Sequence, residues 1–164
     1  VSSLNENYNL NRIARYVSIT LEGNGTPVVI LTKADLCKNP EDYVNEVRAL
    51  SDKVKVHAVS TVEGIGLEAI TEYLLPGKTI ALLGSSGVGK STLLNALAGK
   101  ELMKTSEVRE KDAKGRHTTT YRQLFTLGDG VTIIDTPGMR EMGMCDVAGG
   151  IEDAFSDITD LIAQ

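Results

Sequence analysis

The chain has 164 residues, 41% of them apolar, and a formal net charge of −5, which is one domain's length with enough apolar content to build a core. No apolar run approaches the roughly 20 residues that span a bilayer, and no basic-plus-apolar leader precedes a cleavage site. The acidic balance lacks the footprint of a stand-alone nucleic-acid binder, and the two isolated cysteines, Cys37 and Cys145, form neither a disulfide framework nor a metal knuckle and suit a reducing cytosol.

Aromatics are only 4% and Trp is missing, so Val, Ile, Leu and Ala must fill the interior. Val1 to Leu4 read as the tail of a strand cut open at the chain start. Residues 9–21 carry Leu10, Ile13, Ala14, Val17 and Leu21 at helical spacing, stopped by Gly23-Asn24-Gly25. The β-branched run at 27–31 predicts a buried strand. Pro40 opens a second helix reaching about residue 51, and 54–59 is the next strand. The stretch 64–75 contains another predicted helix, marked by Leu67, Ile70 and Leu74. A strand at 79–83, a glycine-rich turn at 84–91 and a helix over 92–98 follow. The stretch 100–120 is polar and aperiodic, and we expect a long mobile loop, of the kind that is usually functional or disordered. Residues 121–127 and 131–134 alternate around Gly128-Asp129-Gly130 and predict a hairpin. A last amphipathic helix is predicted over 147–163.

Strands and helices mostly alternate, which predicts a mainly parallel sheet with helices on both faces, a three-layer α/β sandwich forming one domain over 1–164. Ligands in such sheets bind beyond the carboxyl ends of strands. Three motifs fall at such ends.

The first is Gly84-Ser85-Ser86-Gly87-Val88-Gly89-Lys90-Ser91, which fits the phosphate-binding pattern G-x-x-x-x-G-K-[ST] of the P-loop. Its glycines allow several backbone N–H groups to turn inward, and the helix behind it adds a dipole and unpaired N–H donors. Lys90 would reach the β- and γ-phosphates and Ser91 would ligate Mg²⁺; Thr92 continues the cradle. The second is Asp135-Thr136-Pro137-Gly138. A strand-end carboxylate there can hold Mg²⁺ through water, and the Gly138 N–H can meet a γ-phosphate. D-x-x-G is also an ordinary turn, but here it stands downstream of a P-loop. The third is Thr32-Lys33-Ala34-Asp35, similar to the guanine-reading signature [NT]-K-x-D. An Asp carboxylate accepts from both N1–H and the exocyclic amine of guanine, whereas adenine would leave it unpaired. Thr stands at 32 where Asn is commoner, so one amide contact is lost or weakened there. Ser60 and Thr61, after the next strand, would supply the last base-contacting loop.

The base selector precedes the phosphate loop, the reverse of the Ras order. Strand neighbours in space need not be neighbours in sequence, so this is a circular permutation with the old ends joined through residues 73–78.

The set TKAD, GSSGVGKS, GRHTTT (115–120) and DTPG, in that order, resembles the circularly permuted, small-ribosomal-subunit-dependent GTPases (the RsgA, YjeQ or EngC family) over nearly the whole chain. The resemblance implies a Ras-like P-loop fold, Mg²⁺-dependent hydrolysis of GTP to GDP stimulated by the 30S subunit, and a role in late maturation of that subunit. It also implies a cytoplasmic location and contact with rRNA; we expect a monomer. The family's OB-fold and zinc-binding domains do not lie within this chain, so zinc is expected only in the latter. Among 118–120, one hydroxyl completes the Mg²⁺ shell, Thr119 first and Thr118 next to it, unless the run merely leads a strand. Lys111, Lys114, Arg116 and His117 form a basic patch that meets rRNA, neutralises phosphate or simply faces solvent. Where Ras-type enzymes place a water-orienting Gln after D-x-x-G, Met139 stands here and cannot do that work. Basal hydrolysis should be slow. His117 is the internal candidate to orient water, against a solvated loop His. His57 reads as structural, and nothing in the sequence assigns Arg140 a partner. The competing reading is a nucleotide-gated docking module with negligible turnover of its own.

Overall fold

The computed structural model describes residues 1–102, 123–127 and 130–136. In chain order these form β1 (Ser2–Ser3), α1 (Leu10–Glu22), β2 (Val28–Thr32), a short 3₁₀ turn (Ala34–Leu36), α2 (Pro40–Arg48), β3 (Lys55–Ala58), α3 (Glu68–Thr71), β4 (Thr79–Leu82), α4 (Lys90–Ala98), β5 (Gln123–Leu127) and β6 (Val131–Asp135).

Six strands make two three-stranded ladders, β1-β2-β3 and β4-β6-β5. All pairs are parallel except the β5–β6 hairpin, in which Phe125 faces Ile133. The Val1 nitrogen donates to the Leu83 carbonyl at 2.6 Å, setting β1 beside β4. The order across the molecule is therefore β3-β2-β1-β4-β6-β5. Two segments that are each consecutive in sequence become two halves of one sheet.

Alternation along β2 builds the layers. Val29 and Leu31 pack with Ile13 and Val17 of α1 and Val44 and Val47 of α2. Ile30, on the other face, packs with Ile70 of α3 and Leu93 of α4. A further cluster of Leu82, Leu94, Leu127, Val131 and Ile133 closes the other half. Leu31, Val47, Val59, Leu93 and Leu94 are fully buried, each such side chain contributing roughly 1.5–3 kcal/mol relative to exposure.

Two helix boundaries follow local chemistry. Asn9 caps α1 by accepting from the Arg12 N–H at 2.9 Å. The helix expected within 64–75 is the four-residue α3. Ser60 and Ile65 instead form a two-way backbone bridge, and Gly66, at φ 73°, passes so close to the Ala58 carbonyl that a Cβ would sit 2.6 Å from its oxygen. That loop geometry is incompatible with helical backbone before residue 67. The predicted final helix at 147–163 lies outside the described residues.

Candidate functional site

The C-terminal ends of β2, β3, β4 and β6 lie along one edge of the sheet, and each sequence motif follows one of them. Gly84 to Gly89 link β4 to α4. Gly84 adopts φ 152°, and a Cβ there would overlap the Val1 carbonyl oxygen and lie 3.1 Å from a Val88 methyl. Only glycine lets the loop leave the sheet this close to β1. Ser85 and Val88 are buried, while Ser86 and Gly87 are exposed at the loop tip. Lys90, at the first position of α4, folds back over the loop. Its Nζ donates to the Gly84 carbonyl at 2.8 Å and the Ser85 carbonyl at 3.0 Å. An ammonium has three protons, so one donor remains to meet an anion above the loop. Ser91 is half-buried beside it and Thr92 is exposed.

Asp135 ends β6 and is 3% exposed. Its Oδ1 is buried with no hydrogen-bond partner among the described residues. Burial pushes the carboxyl above its usual range, only partly offset by the Lys90 ammonium. Burial likewise pulls Lys90 below the ordinary lysine value, with Asp135 acting in the opposite sense. The two charges favour one another, yet each is under-solvated. A hydrated divalent cation near Asp135 would give the orphaned oxygen its partner. Among the described residues no group of three or more His, Cys, Asp or Glu side chains could hold a metal. A cation here needs phosphate and water to complete its shell, the habit of Mg²⁺ rather than of a structural metal.

Thr32, the first residue of the base-selector motif, is 2% exposed. Its hydroxyl donates to the Val88 carbonyl at 2.6 Å, with the Ser2 carbonyl farther off at 3.2 Å. Gly89 lies in contact with this bond, where a Cβ would stand at an ordinary 3.5 Å from the Thr32 hydroxyl, and its φ of 92° favours glycine. Thr32 therefore holds the phosphate loop instead of facing solvent. Lys33 takes a left-handed backbone, φ 60° and ψ 38°, which turns the chain sharply out of β2 and into the 3₁₀ turn that carries Ala34 and the exposed Asp35. The Ala34 N–H donates to the Val59 carbonyl at 3.1 Å, tying this turn to the loop after β3. There Ser60 is buried and accepts from the Glu63 N–H at 3.2 Å, so it shapes the loop, and Thr61 is half-buried next to it.

The structure thus brings the 32–35 turn, the 60–61 loop, the 84–91 loop and Asp135 to one edge. His117, Thr118, Thr119, Gly138 and Met139, with the basic residues Lys111, Lys114 and Arg116, Arg140 and Cys145, lie outside the described residues. Two positioning groups escaped the sequence reading. Thr136 is buried and donates to the Leu82 carbonyl at 2.7 Å, fastening the end of β6 to β4. The Val1 carbonyl buttresses Gly84. A polar residue directly after a β-branched strand was the available signal for Thr136; nothing local marked Val1. His57, read as structural, pairs with the Tyr73 hydroxyl at 2.8 Å.

Comparison with known proteins agrees with this arrangement. A family model described as RsgA GTPase matches residues 1–145. The Listeria innocua "Small ribosomal subunit biogenesis GTPase RsgA 1" is 47% identical over 161 residues, covering 98% of this chain and 46% of that protein. A Methanosarcina acetivorans protein named "Small ribosomal subunit biogenesis GTPase RsgA" is 46% identical over 160 residues, covering 98% of this chain and 43% of its own. Among solved structures, YjeQ from Thermotoga maritima superimposes with a TM-score of 0.61 at 27% identity, covering 84% of this chain and 46% of that one. The chain spans less than half the length of these relatives.

Proposed function

The chain belongs to the RsgA GTPase family, and from that premise we propose that it binds GTP and Mg²⁺ and hydrolyses the nucleotide to GDP and phosphate within a factor that assists late assembly of the small ribosomal subunit. The observation that carries this reading is the 2.6 Å bond from Thr32 to Val88. It joins the stretch suited to a guanine base to the stretch suited to phosphates, two segments far apart in the chain.

Asp35 is the base reader, exposed at the tip of its turn with Lys33 and Ala34 beneath it, and the loop of Ser60 and Thr61 closes the base side. The backbone N–H groups of 84–91 and the start of α4 hold the phosphates, and the third proton of Lys90 bridges toward the β- and γ-oxygens. Ser91 and Asp135, with Thr119, would hold Mg²⁺, which supplies charge neutralisation at the transferring phosphoryl group. Gly138 offers its N–H to the γ-phosphate, and His117 orients the attacking water that Met139 cannot. The basic residues of the 111–117 stretch face rRNA of the small subunit. We place the activity in the cytoplasm, on a monomer. No helix among the described residues is long and apolar enough to cross a membrane.

Calorimetry with Mg²⁺ present tests the pocket. GTP and GDP should bind at least about tenfold more tightly than ATP, a difference of about 1.4 kcal/mol; equal affinities would overturn the base-reading assignment. Met139 favours a second reading, a docking module gated by bound nucleotide with negligible turnover. Single-turnover phosphate release with and without small ribosomal subunits separates the two: stimulated release supports hydrolysis, and none in either case supports the module.

A further inference from the structure

The loop after β3 is held by its backbone. Val62, Glu63, Gly64 and Ile65 are all exposed, Val62 to 85% and Ile65 to 57%, so no apolar side chain anchors this stretch in the core. Two bonds close it instead: the Ser60 N–H donates to the Ile65 carbonyl and the Ile65 N–H to the Ser60 carbonyl, both at 3.0 Å. Inside the turn the Glu63 N–H donates to the Ser60 hydroxyl. These bonds fix the shape of the loop. Where the loop stands against the sheet is decided at the next residue, Gly66.

Strand parity shows how. The Val59 N–H donates to the Leu31 carbonyl at 2.8 Å, and the Val59 carbonyl accepts from the Ala34 N–H at 3.1 Å. Both Val59 groups therefore face β2, and those of Ala58 and Ser60 face the outer edge of the sheet. Gly66 rests on that outer edge. A Cβ on it would stand 2.6 Å from the Ala58 carbonyl oxygen and 3.3 Å from a Val59 methyl carbon, and its φ is 73°. The nearer obstacle is backbone, pinned by the pairing of Ala58 with Leu31, and it cannot swing aside as a side chain would. The same strand end holds, on its other side, the turn that carries Asp35. The loop and the turn thus grip one fully buried residue, Val59, from opposite edges.

We propose that Gly66 is a positioning residue for guanine selectivity: it sets how closely the 60–65 loop sits on β3 and so keeps that loop and the Asp35 turn in one unit, without touching the nucleotide. The selectivity rests on the function proposed above. With Gly66→Ala the loop must retreat by several tenths of an ångström, which is the whole tolerance of a good hydrogen bond to a base edge. The phosphate loop hangs from β4 and from Thr32 and is not displaced, so the loss falls on the base and spares the phosphates.

The test compares the parent chain with Gly66→Ala and with Gly77→Ala, a glycine of nearly the same φ, 75°, whose Cβ would meet nothing within 4 Å. Calorimetry with GDP and ADP, Mg²⁺ present, should show the preference for GDP narrowed at least about tenfold in Gly66→Ala, through weaker GDP binding at nearly constant ADP affinity. Gly77→Ala should keep the parent's preference. An unchanged preference in Gly66→Ala, an equal loss for both nucleotides, or the same narrowing in Gly77→Ala would overturn the assignment. Hydrogen exchange on the ligand-free parent needs no variant to fold. There the Ala34, Ser60 and Ile65 amides should show protection factors within about threefold of one another, as one opening unit does; a spread beyond about tenfold would overturn the unit. No guanine-nucleotide binding by the parent would overturn the proposed function and the selectivity with it, while the unit would still stand or fall on exchange.

Discussion

The Thr32 hydroxyl offers a sharp perturbation, because valine has the same shape and lacks only the donor. Thr32 is 2% and Val88 1% exposed, so water cannot replace the lost bond. The Val88 carbonyl stands one residue before the N-cap of α4, outside the helical ladder, and has no helical donor to fall back on. Leaving a buried acceptor unpaired costs about 1–3 kcal/mol. The added methyl returns about 0.8 kcal/mol through burial, so Thr32→Val should cost about 1 kcal/mol net, within a range of about 0.2–2.2 kcal/mol. At about 2–4 °C per kcal/mol for a chain of this size, the melting temperature should fall by about 2–4 °C, and by no more than about 9 °C. If the phosphate loop relaxes away from β2, the same energy reappears as a loss of GDP affinity of roughly 5-fold, and no more than about 40-fold. Thr32→Ser keeps the donor and loses a methyl against Gly89, so it should lower the melting temperature while retaining most of the affinity. Melting curves and titration calorimetry read both quantities. A Thr32→Val chain that melts and binds GDP like the parent, or a Thr32→Ser chain that loses as much affinity as Thr32→Val, would refute the reasoning.

Asp35 is exposed at the tip of its turn, so Asp35→Asn should leave the stability within about 0.5 kcal/mol while shifting preference from guanine to xanthine nucleotides, as competition binding would measure. Burial outweighs Lys90 in setting the Asp135 carboxyl, so Asp135→Asn should raise the melting temperature of the ligand-free chain and abolish the Mg²⁺ dependence of GTP binding; a lower melting temperature would contradict the charge balance described here. Burial holds His57 below its ordinary value of 6.5 against the pull of Glu72. The unfolded chain then binds a proton that the folded chain refuses, so the contribution of neutral His57 is full above pH 6.5 and is lost as pH falls toward the folded value. Denaturant melts across pH 5–7.5 should show this slope, and His57→Gln should flatten it.

Much of the architecture was legible because alternation and periodicity are local properties. The strand at 28–32, the helices at 10–22 and 40–48, and the hairpin all stand within a few residues of the pattern that predicts them. α3 falls inside the stretch that its apolar spacing marks, although the spacing of Leu67, Ile70 and Leu74 outlasts the helix. The close passage of Gly66 over Ala58 is a tertiary fact with no sequence period. The bond from Thr32 to Val88 was not legible, because its two partners lie 56 residues apart and only the folded sheet brings them together.

The permuted order has an energetic consequence of its own. Each half of the sheet is built from consecutive chain, β1 to β3 before residue 59 and β4 to β6 after residue 78, and each gathers a cluster of its own. The base reader belongs to one half and the phosphate loop to the other, so the nucleotide sits on the seam. Across that seam run the packing of Ile30 and Val59 on Leu93, the Val1–Leu83 bond and the Thr32–Val88 bond. Sub-global opening follows the weakest boundary between cooperative units, which here passes through the binding site. A ligand touching both sides favours the closed state by its differential affinity for it. GDP should therefore protect the Val59 and Leu93 amides, bonded to the Leu31 and Gly89 carbonyls and packed across the seam, by a larger factor than those of Val44 and Val47 in α2, and uniform protection would show that the halves open as one.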